Sequence, residues 1–270
     1  MTHPAETFRQ LHVKGTPFIM ANVWDSGLAM MMQNLGAKAL ATSSAAHAFT
    51  MGRADGGTLT LNEALSHAQE ILSVATVPVQ GDFENGFGDD PDTCAETVRL
   101  AAKIGLAGIC IEDTVLPGND SYDFDLAVER IKAAAAATRA LGHDFVLTAR
   151  ADGILTGQYD TEEAIKRLQA FETAGADCLY APMPPSLDDL ARICGAVTAP
   201  VNVLISGKFT KHPLATYADM GAARLSLGST LARATHRVMH DAAKDMFEGG
   251  TFDALQRNIN GDLIDALLSK

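Results

Sequence analysis

Asp82 and Glu84 lie two residues apart in 78-PVQGDFENGFG-88, a stretch that begins apolar, turns acidic and then breaks into glycines. In an extended strand such positions face the same side. Two carboxylates aimed at one point repel each other unless a proton or a cation sits between them. A polar strand end running into a glycine-rich turn explains this stretch equally well on its own. Two further runs end in the same way. 107-AGICIEDT-114 closes on Glu112 and Asp113, and 145-FVLTARAD-152 closes on Arg150 and Asp152. Oxygen donors with no His or Cys partner suit Mg2+ or Mn2+ rather than zinc. Mg2+ keeps several waters, so one direct carboxylate with others acting through water suffices. The competing reading is a hydrated acidic rim. Arg150 can grip a substrate carboxylate or phosphonate bidentately, or it can pair with Asp152 or a nearby glutamate. The amides of Ser43 and Ser44 can form an anion nest or a plain strand-to-loop turn.

Positioning these groups at one place requires a repeated element. β-like runs recur at 17-PFIMANVWD-25, 38-KALATSS-44, 77–83, 107–114, 145–152, 178-CLYAPM-183, 200-PVNVLIS-206 and 224-RLSLGS-229. Helical patterns lie between them, such as 62-NEALSHAQEILSVA-75 and 126-LAVERIKAAAAATRAL-141. The second pattern places Leu126, Ile131 and Ala134 on one stripe. Gly36, Gly105, Gly175 and Gly221 precede strands, as expected for left-handed helix stops. Strand–helix alternation of this kind predicts parallel strands closed into a (β/α)8 barrel, an α/β TIM barrel. An open doubly wound sheet would carry a glycine-rich phosphate loop after its first strand, and 22-NVWDSG-27 is not one. Barrel strands converge at their C-terminal ends, so Trp24, Ser43, Ser44, Asp82, Glu84, Glu112, Arg150, Pro182 and Asn202 are expected around one mouth. The segment 230–270 predicts more helix than the barrel needs, as an extension of one domain spanning 1–270.

With 33 acidic against 21 basic residues, the net charge is −12, which opposes nucleic acid or an anionic membrane as partner. It permits a small carboxylate substrate, because a local metal ion reverses the field. The four cysteines have no CxxC spacing, and Cys110 and Cys178 lie in apolar runs, which suits a reducing compartment. The start, MTHPAE, lacks the regions of a signal peptide, and no apolar run approaches the ~20 residues of a membrane span. A cytoplasmic location is the expectation.

The stretches 42-TSSAAHAFTMGRADG-56, 81-GDFENGFG-88, 109-ICIEDT-114 and 147-LTARAD-152 resemble the isocitrate lyase/phosphoenolpyruvate mutase superfamily over nearly the whole chain. The family pattern Asp-x-Asp-x-Gly-Tyr/Phe-Gly falls on Asp82, Glu84, Gly86, Phe87 and Gly88, with glutamate as the second acid. The resemblance implies a metal set of Asp82, Glu84, Glu112 and Asp55, with Asp82 direct, and Mg2+ (or Mn2+) as cofactor. It implies a catalytic set of Asp55, Arg150 and Glu112. Ser43 and Ser44, with Arg150 and Asn202, are implied to hold the substrate, and Trp24 is a further candidate at the mouth. Family members break or make a C–C or P–C bond of a 2-oxo or 2-hydroxy acid through a Mg2+-stabilised pyruvate enolate. The resemblance further implies a homo-oligomer, a tetramer or dimer, with terminal helices exchanged between subunits.

Departures from the family narrow the reading. The lyases of isocitrate and methylisocitrate carry Lys-Lys/Arg-Cys-Gly-His on a gating loop, whereas 112-EDTVLPGNDSYDF-124 holds no Cys, Lys or His. The loop shape resembles phosphonopyruvate mutases and hydrolases, but their lysine falls on Gly118 and the mutase asparagine on Asp120. Pro182 stands where relatives place a glutamate or histidine. The expectation is a Mg2+-dependent lyase that cleaves a C–C bond. The alternatives are a phosphonopyruvate mutase or hydrolase, and a barrel that binds a metabolite without turnover.

Overall fold

The structure is a computed structural model that describes residues 3–269. Its strands are β1 (Phe18–Asn22), β2 (Ala39–Ala41), β3 (Val79–Asp82), β4 (Gly108–Glu112), β5 (Val146–Arg150), β6 (Cys178–Tyr180), β7 (Val201–Leu204) and β8 (Arg224–Ser226). They pair in parallel, each with the next, and β1 closes on β8 through Phe18–Arg224 to Met20–Ser226. Each predicted run holds one strand. The strands are shorter than the runs because the polar residues at their ends leave the ladder to build the mouth.

The helices are α1 (Pro4–Leu11), α2 (Ser26–Asn34), α3 (Ser44–Thr50), α4 (Leu61–Leu72), α5 (Pro91–Lys103), α6 (Phe124–Arg139), α7 (Gly153–Thr156), α8 (Thr161–Ala174), α9 (Leu187–Ala196), α10 (Leu214–Asp219), α11 (Thr230–Gly249) and α12 (Gly261–Leu268). Their starts follow capping chemistry. Thr60 and Glu63 form a reciprocal capping box on α4, and Asp160 caps α8, which stops at left-handed Gly175. In α6 the buried stripe runs through Ala127, Arg130, Ile131, Ala134 and Thr138, while Leu126 is exposed. The expected inclusion of Leu126 fails because a separation of five residues turns the helix well past one face.

Most of the core lies between the barrel and its helices. Ile109, Ile111, Leu147, Ala149 and Leu179 point outward into it, together with Phe83, Phe145 and Phe171. A smaller cluster fills the barrel floor, where Ala5 and Phe8 of α1 meet Phe18, Met20, Val146 and Cys178. Above the floor the interior is polar. Arg224, 1% exposed, donates to Asn202 Oδ1 and Gln80 Oε1 at 2.8 Å each and to Thr148 Oγ1 at 3.2 Å. His12, just past α1, lies 3.1 Å from the same guanidinium. Burial and the Arg224 charge push the His12 ring down to about 3, so it stays neutral and accepts.

Beyond the barrel, α12 packs on α2, and Asn34 donates to the carbonyls of Leu267 (2.8 Å) and Ser269 (3.1 Å). Among the described residues no helix is long and apolar enough to cross a membrane. Because Phe8 is fully buried in the floor, Phe8→Ala is expected to destabilise the fold by about 3–5 kcal/mol. The urea midpoint of the variant checks this, and a midpoint unchanged from wild type contradicts a packing role for Phe8 in the floor.

Candidate active site

At the C-terminal ends of the strands lies a cavity of about 530 Å3. Ser43, Ser44, Asp55, Asp82, Glu84, Glu112, Arg150 and Asp152 all line it, which is the convergence that parallel barrel strands impose.

Asp82 ends β3, and its Oδ2 accepts from both the amide and the hydroxyl of Ser44 at 2.9 Å. Ser43 caps α3 by accepting from the Ala46 amide. The anion at the Ser44 amide is therefore the chain's own Asp82. Glu84 lies past the strand with φ +47° and is 4% exposed. It reaches the cavity beside Asp82 through a left-handed turn, not by strand alternation, a backbone state that costs a non-glycine residue about 1–3 kcal/mol. Gly86 (φ +82°) continues the turn, and a Cβ there would crowd Cys94 Sγ at 3.1 Å. This packing is why glycine follows the acids.

The Gly57 amide donates to Glu84 Oε1 at 3.1 Å. Burial outweighs that bond, and with the charges of Asp82 and Asp55 it pushes the Glu84 carboxyl up to about 7. Burial, followed by Asp82, also raises Asp55 at the rim. Glu112 is driven well above the usual carboxylate range by burial, against the pull of Arg150. Arg150 itself is clamped. Its Nε and Nη2 donate to the two oxygens of Asp152, the latter at 2.6 Å, and Nη1 lies 3.1 Å from Glu112 Oε2. The pairing with Asp152, one of the two expected roles, is present, and it fixes the plane of the guanidinium.

Trp24 does not line the cavity; its carbonyl accepts from His67 Nε2 at 2.9 Å, and the adjacent Asp25 caps α2. Asn202 lies deeper, in the polar interior, bonded to Ser226 Oγ and Arg224. At the sixth strand the cavity meets Tyr180 and Met183, not Pro182. Met183 adopts φ +56°, a second strained residue at the mouth. Sequence reasoning passed over Tyr180, Met183, Leu116, Leu155 and Arg233, all of which line the cavity. Tyr180 was findable, because it pairs in register with Arg150 on the neighbouring strand. Leu116 and Met183 sit in loops, Leu155 in the single turn of α7 and Arg233 on α11.

A family profile described as phosphoenolpyruvate phosphomutase matches residues 8–247. The chain belongs to the isocitrate lyase/phosphoenolpyruvate mutase superfamily. It is 28% identical over 267 residues to 2-methylisocitrate lyase of Escherichia coli K12, covering 95% of this chain and 87% of the relative. It is 30% identical over 220 residues to oxaloacetate decarboxylase of Pseudomonas savastanoi pv. phaseolicola, covering 80% and 75%. A Burkholderia cenocepacia J2315 structure described only as a lyase/mutase superposes with a TM-score of 0.94 at 40% identity, covering 99% and 96%. Membership supports an enzyme working on small carboxylic acids; the superfamily's lyases, mutases and hydrolases share this barrel.

The donor set can be tested against the Mg2+ that the superfamily resemblance implies. Among the described residues no three His, Cys, Asp or Glu side chains converge closely enough to enclose an ion by themselves. The cavity acids are all hard oxygen donors, and the Asp55 and Glu84 carboxyls are raised first by burial and then by neighbouring acids, a cost that a cation would relieve. This suits an ion that keeps waters and takes few direct protein ligands, as Mg2+ does, and not a closed protein cage.

In metal-free protein the folded state keeps the Glu84 proton between about pH 4.5 and 7, where the unfolded chain has lost it. The contribution of neutral Glu84 to stability is thus complete at low pH and is lost as pH rises through about 7. Glu84→Gln is expected to gain on wild type in melting temperature between about pH 5 and 8, and Mg2+ should narrow the gap. A gap independent of pH contradicts the assignment.

Proposed function

We propose that the chain is a Mg2+-dependent lyase that cleaves a C–C bond of a small 2-oxo or 2-hydroxy carboxylic acid through a pyruvate enolate. The observation that carries this reading is one cavity in which Arg150 is fixed against Asp152 and Glu112 while Asp55, Asp82 and Glu84 share the space. Asp82 would hold Mg2+ directly, with Glu84 and Glu112 holding it through water and Asp55 beside it, and the ion would stabilise charge on the enolate oxygen as a Lewis acid. Arg150 would orient the substrate carboxylate, with Ser44 donating to it in exchange for Asp82. Asp55, at the rim with a raised carboxyl, is suited to hold or return a proton at the reacting carbon. Leu116, Leu155 and Met183 would cover the departing group and exclude water, so that fixed donors meet the developing charge.

Carbon chemistry is favoured over phosphorus by the charge of the cavity. Arg150 and Arg233 are its cationic side chains, against Asp55, Asp82, Glu84, Glu112 and Asp152. A departing carboxylate or carbonyl fragment suits that balance better than a phosphonate, and Gly118 adds no positive charge to the loop. The names of the Escherichia coli and Pseudomonas relatives, a lyase and a decarboxylase, support the same side.

The exposed apolar residues Val238 (66%), Phe247 (85%) and Phe252 (66%) on and beyond α11 support a homo-oligomer built through these helices. Phe247→Glu is expected to lower the solution mass measured by light scattering, and an unchanged monomeric mass in wild type contradicts the assembly.

For the reaction, protein supplied with Mg2+ is incubated with 2-oxo and 2-hydroxy acids including oxaloacetate, and pyruvate or glyoxylate is followed. Turnover is expected, abolished by chelation, and reduced about 10²–10³-fold in Asp82→Ala and Arg150→Gln. No product from any acid, with phosphonopyruvate consumed instead by phosphorus NMR, transfers the chain to the P–C reading. Binding of oxalate with Mg2+ but no turnover of either class leaves a metabolite-binding barrel.

A further inference from the structure

Arg150 lines the cavity with Nη1 toward Glu112, and its orientation is set by Asp152, which takes Nε and Nη2. Asp152 lies beyond β5, so something must hold the strand end in place. That holder is Asp113, which is 3% exposed and does not line the cavity. Its amide donates to the Arg150 carbonyl at 3.1 Å, and its Oδ1 accepts from the Asp152 amide at 2.7 Å. One residue thus grips both ends of Arg150–Ala151–Asp152. The other oxygen, Oδ2, accepts from Tyr159 Oη at 2.8 Å and from Arg167 Nη1 at 2.9 Å. Arg167, 6% exposed, also donates to the Tyr122 carbonyl (2.9 Å) and, through Nε, to Glu163 (3.1 Å). The Tyr159 ring occupies the place a Cβ on Gly153 would take, 2.1 Å from that position. The carboxylate of Asp113 is therefore held by one backbone donor and two side chains whose own positions are packed.

We propose that Asp113, braced by Tyr159 and Arg167, is a positioning residue that sets the reach of Arg150 by holding the backbone of Asp152. A buried ion pair is weak evidence of stabilisation, because desolvation offsets the attraction; fixing geometry is the role that this arrangement serves directly. The inference rests on Arg150 as the substrate-carboxylate ligand, and it adds the residues behind that ligand. An amide at position 113 can still accept one bond, but its NH2 would face the Arg167 and Tyr159 donors. The local backbone would then shift, and small misplacements at a reacting centre are costly.

The test uses Asp113→Asn, the milder Tyr159→Phe (which keeps the ring against Gly153), and each combined with Arg150→Gln. Oxalate binding in the presence of Mg2+, measured by calorimetry, is the readout. Asp113→Asn is expected to weaken oxalate about tenfold or more and Tyr159→Phe less, with Mg2+ affinity changed under about twofold. In the Arg150→Gln background both effects should largely vanish, because residues acting through one partner are not additive. A lower melting temperature with unchanged oxalate affinity, or equal losses in both backgrounds, overturns the proposal in favour of a purely structural role. Should wild type bind no oxalate with Mg2+ present, the functional reading falls by itself. The crystal structure of Asp113→Asn then decides the positioning claim: it stands if the Asp152 carboxylate has left Arg150 and falls if the pair is unmoved.

Discussion

Like charges crowded into one poorly hydrated space are the constraint that organises this protein. The barrel brings five carboxylates to its mouth, and burial, which denies them water, raises the proton affinity of Asp55, Glu84, Glu112 and Asp152. Each local device limits that repulsion. Ser44 donates twice to Asp82, Gly57 donates to Glu84, and Arg150 lies between Glu112 and Asp152. The proposed Mg2+ and carboxylate substrate would each relieve a charge that the other exposes.

The same constraint accounts for the strained backbone. Left-handed φ at Glu84 and Met183 falls at the mouth, where ordinary strand geometry would aim the side chains elsewhere. The outer packing keeps these turns in place: Phe83 lies against Gly81, and Cys94 closes on Gly86. Core and site are therefore one mechanical unit, with the apolar layer fixing the angles at which polar groups leave the barrel.

Much of this was legible in the sequence, and the reason is geometric. Eight alternating runs specify eight parallel strands, and parallel strands collect their last residues at one end, so Asp82, Glu112 and Arg150 could be placed together before any coordinates. Direction in loops was not legible. Ser44 looked free to hold an external anion, but a neighbouring strand brings Asp82 to it. Trp24 and Asn202 stood at strand ends by count, whereas the first does not line the cavity and the second sits a layer deeper. Arg224 gave no signal, because a charged side chain in a short strand run reads as surface, and only closure of the barrel reveals that its surroundings are polar. Asp113 was visible as an acid beside an acid; its separate task needed α8 and the Tyr159 loop in three dimensions.

The neutral His12 ring is the place where the amino-terminal segment touches the interior. It braces Arg224, which in turn holds Gln80, Thr148 and Asn202, the tier directly beneath the catalytic end. The floor and the mouth are thus joined by a polar column running up the axis. Fusion tags, protease nicks or crosslinks near the first helix would be felt as altered chemistry at the far rim, although nothing there had been touched.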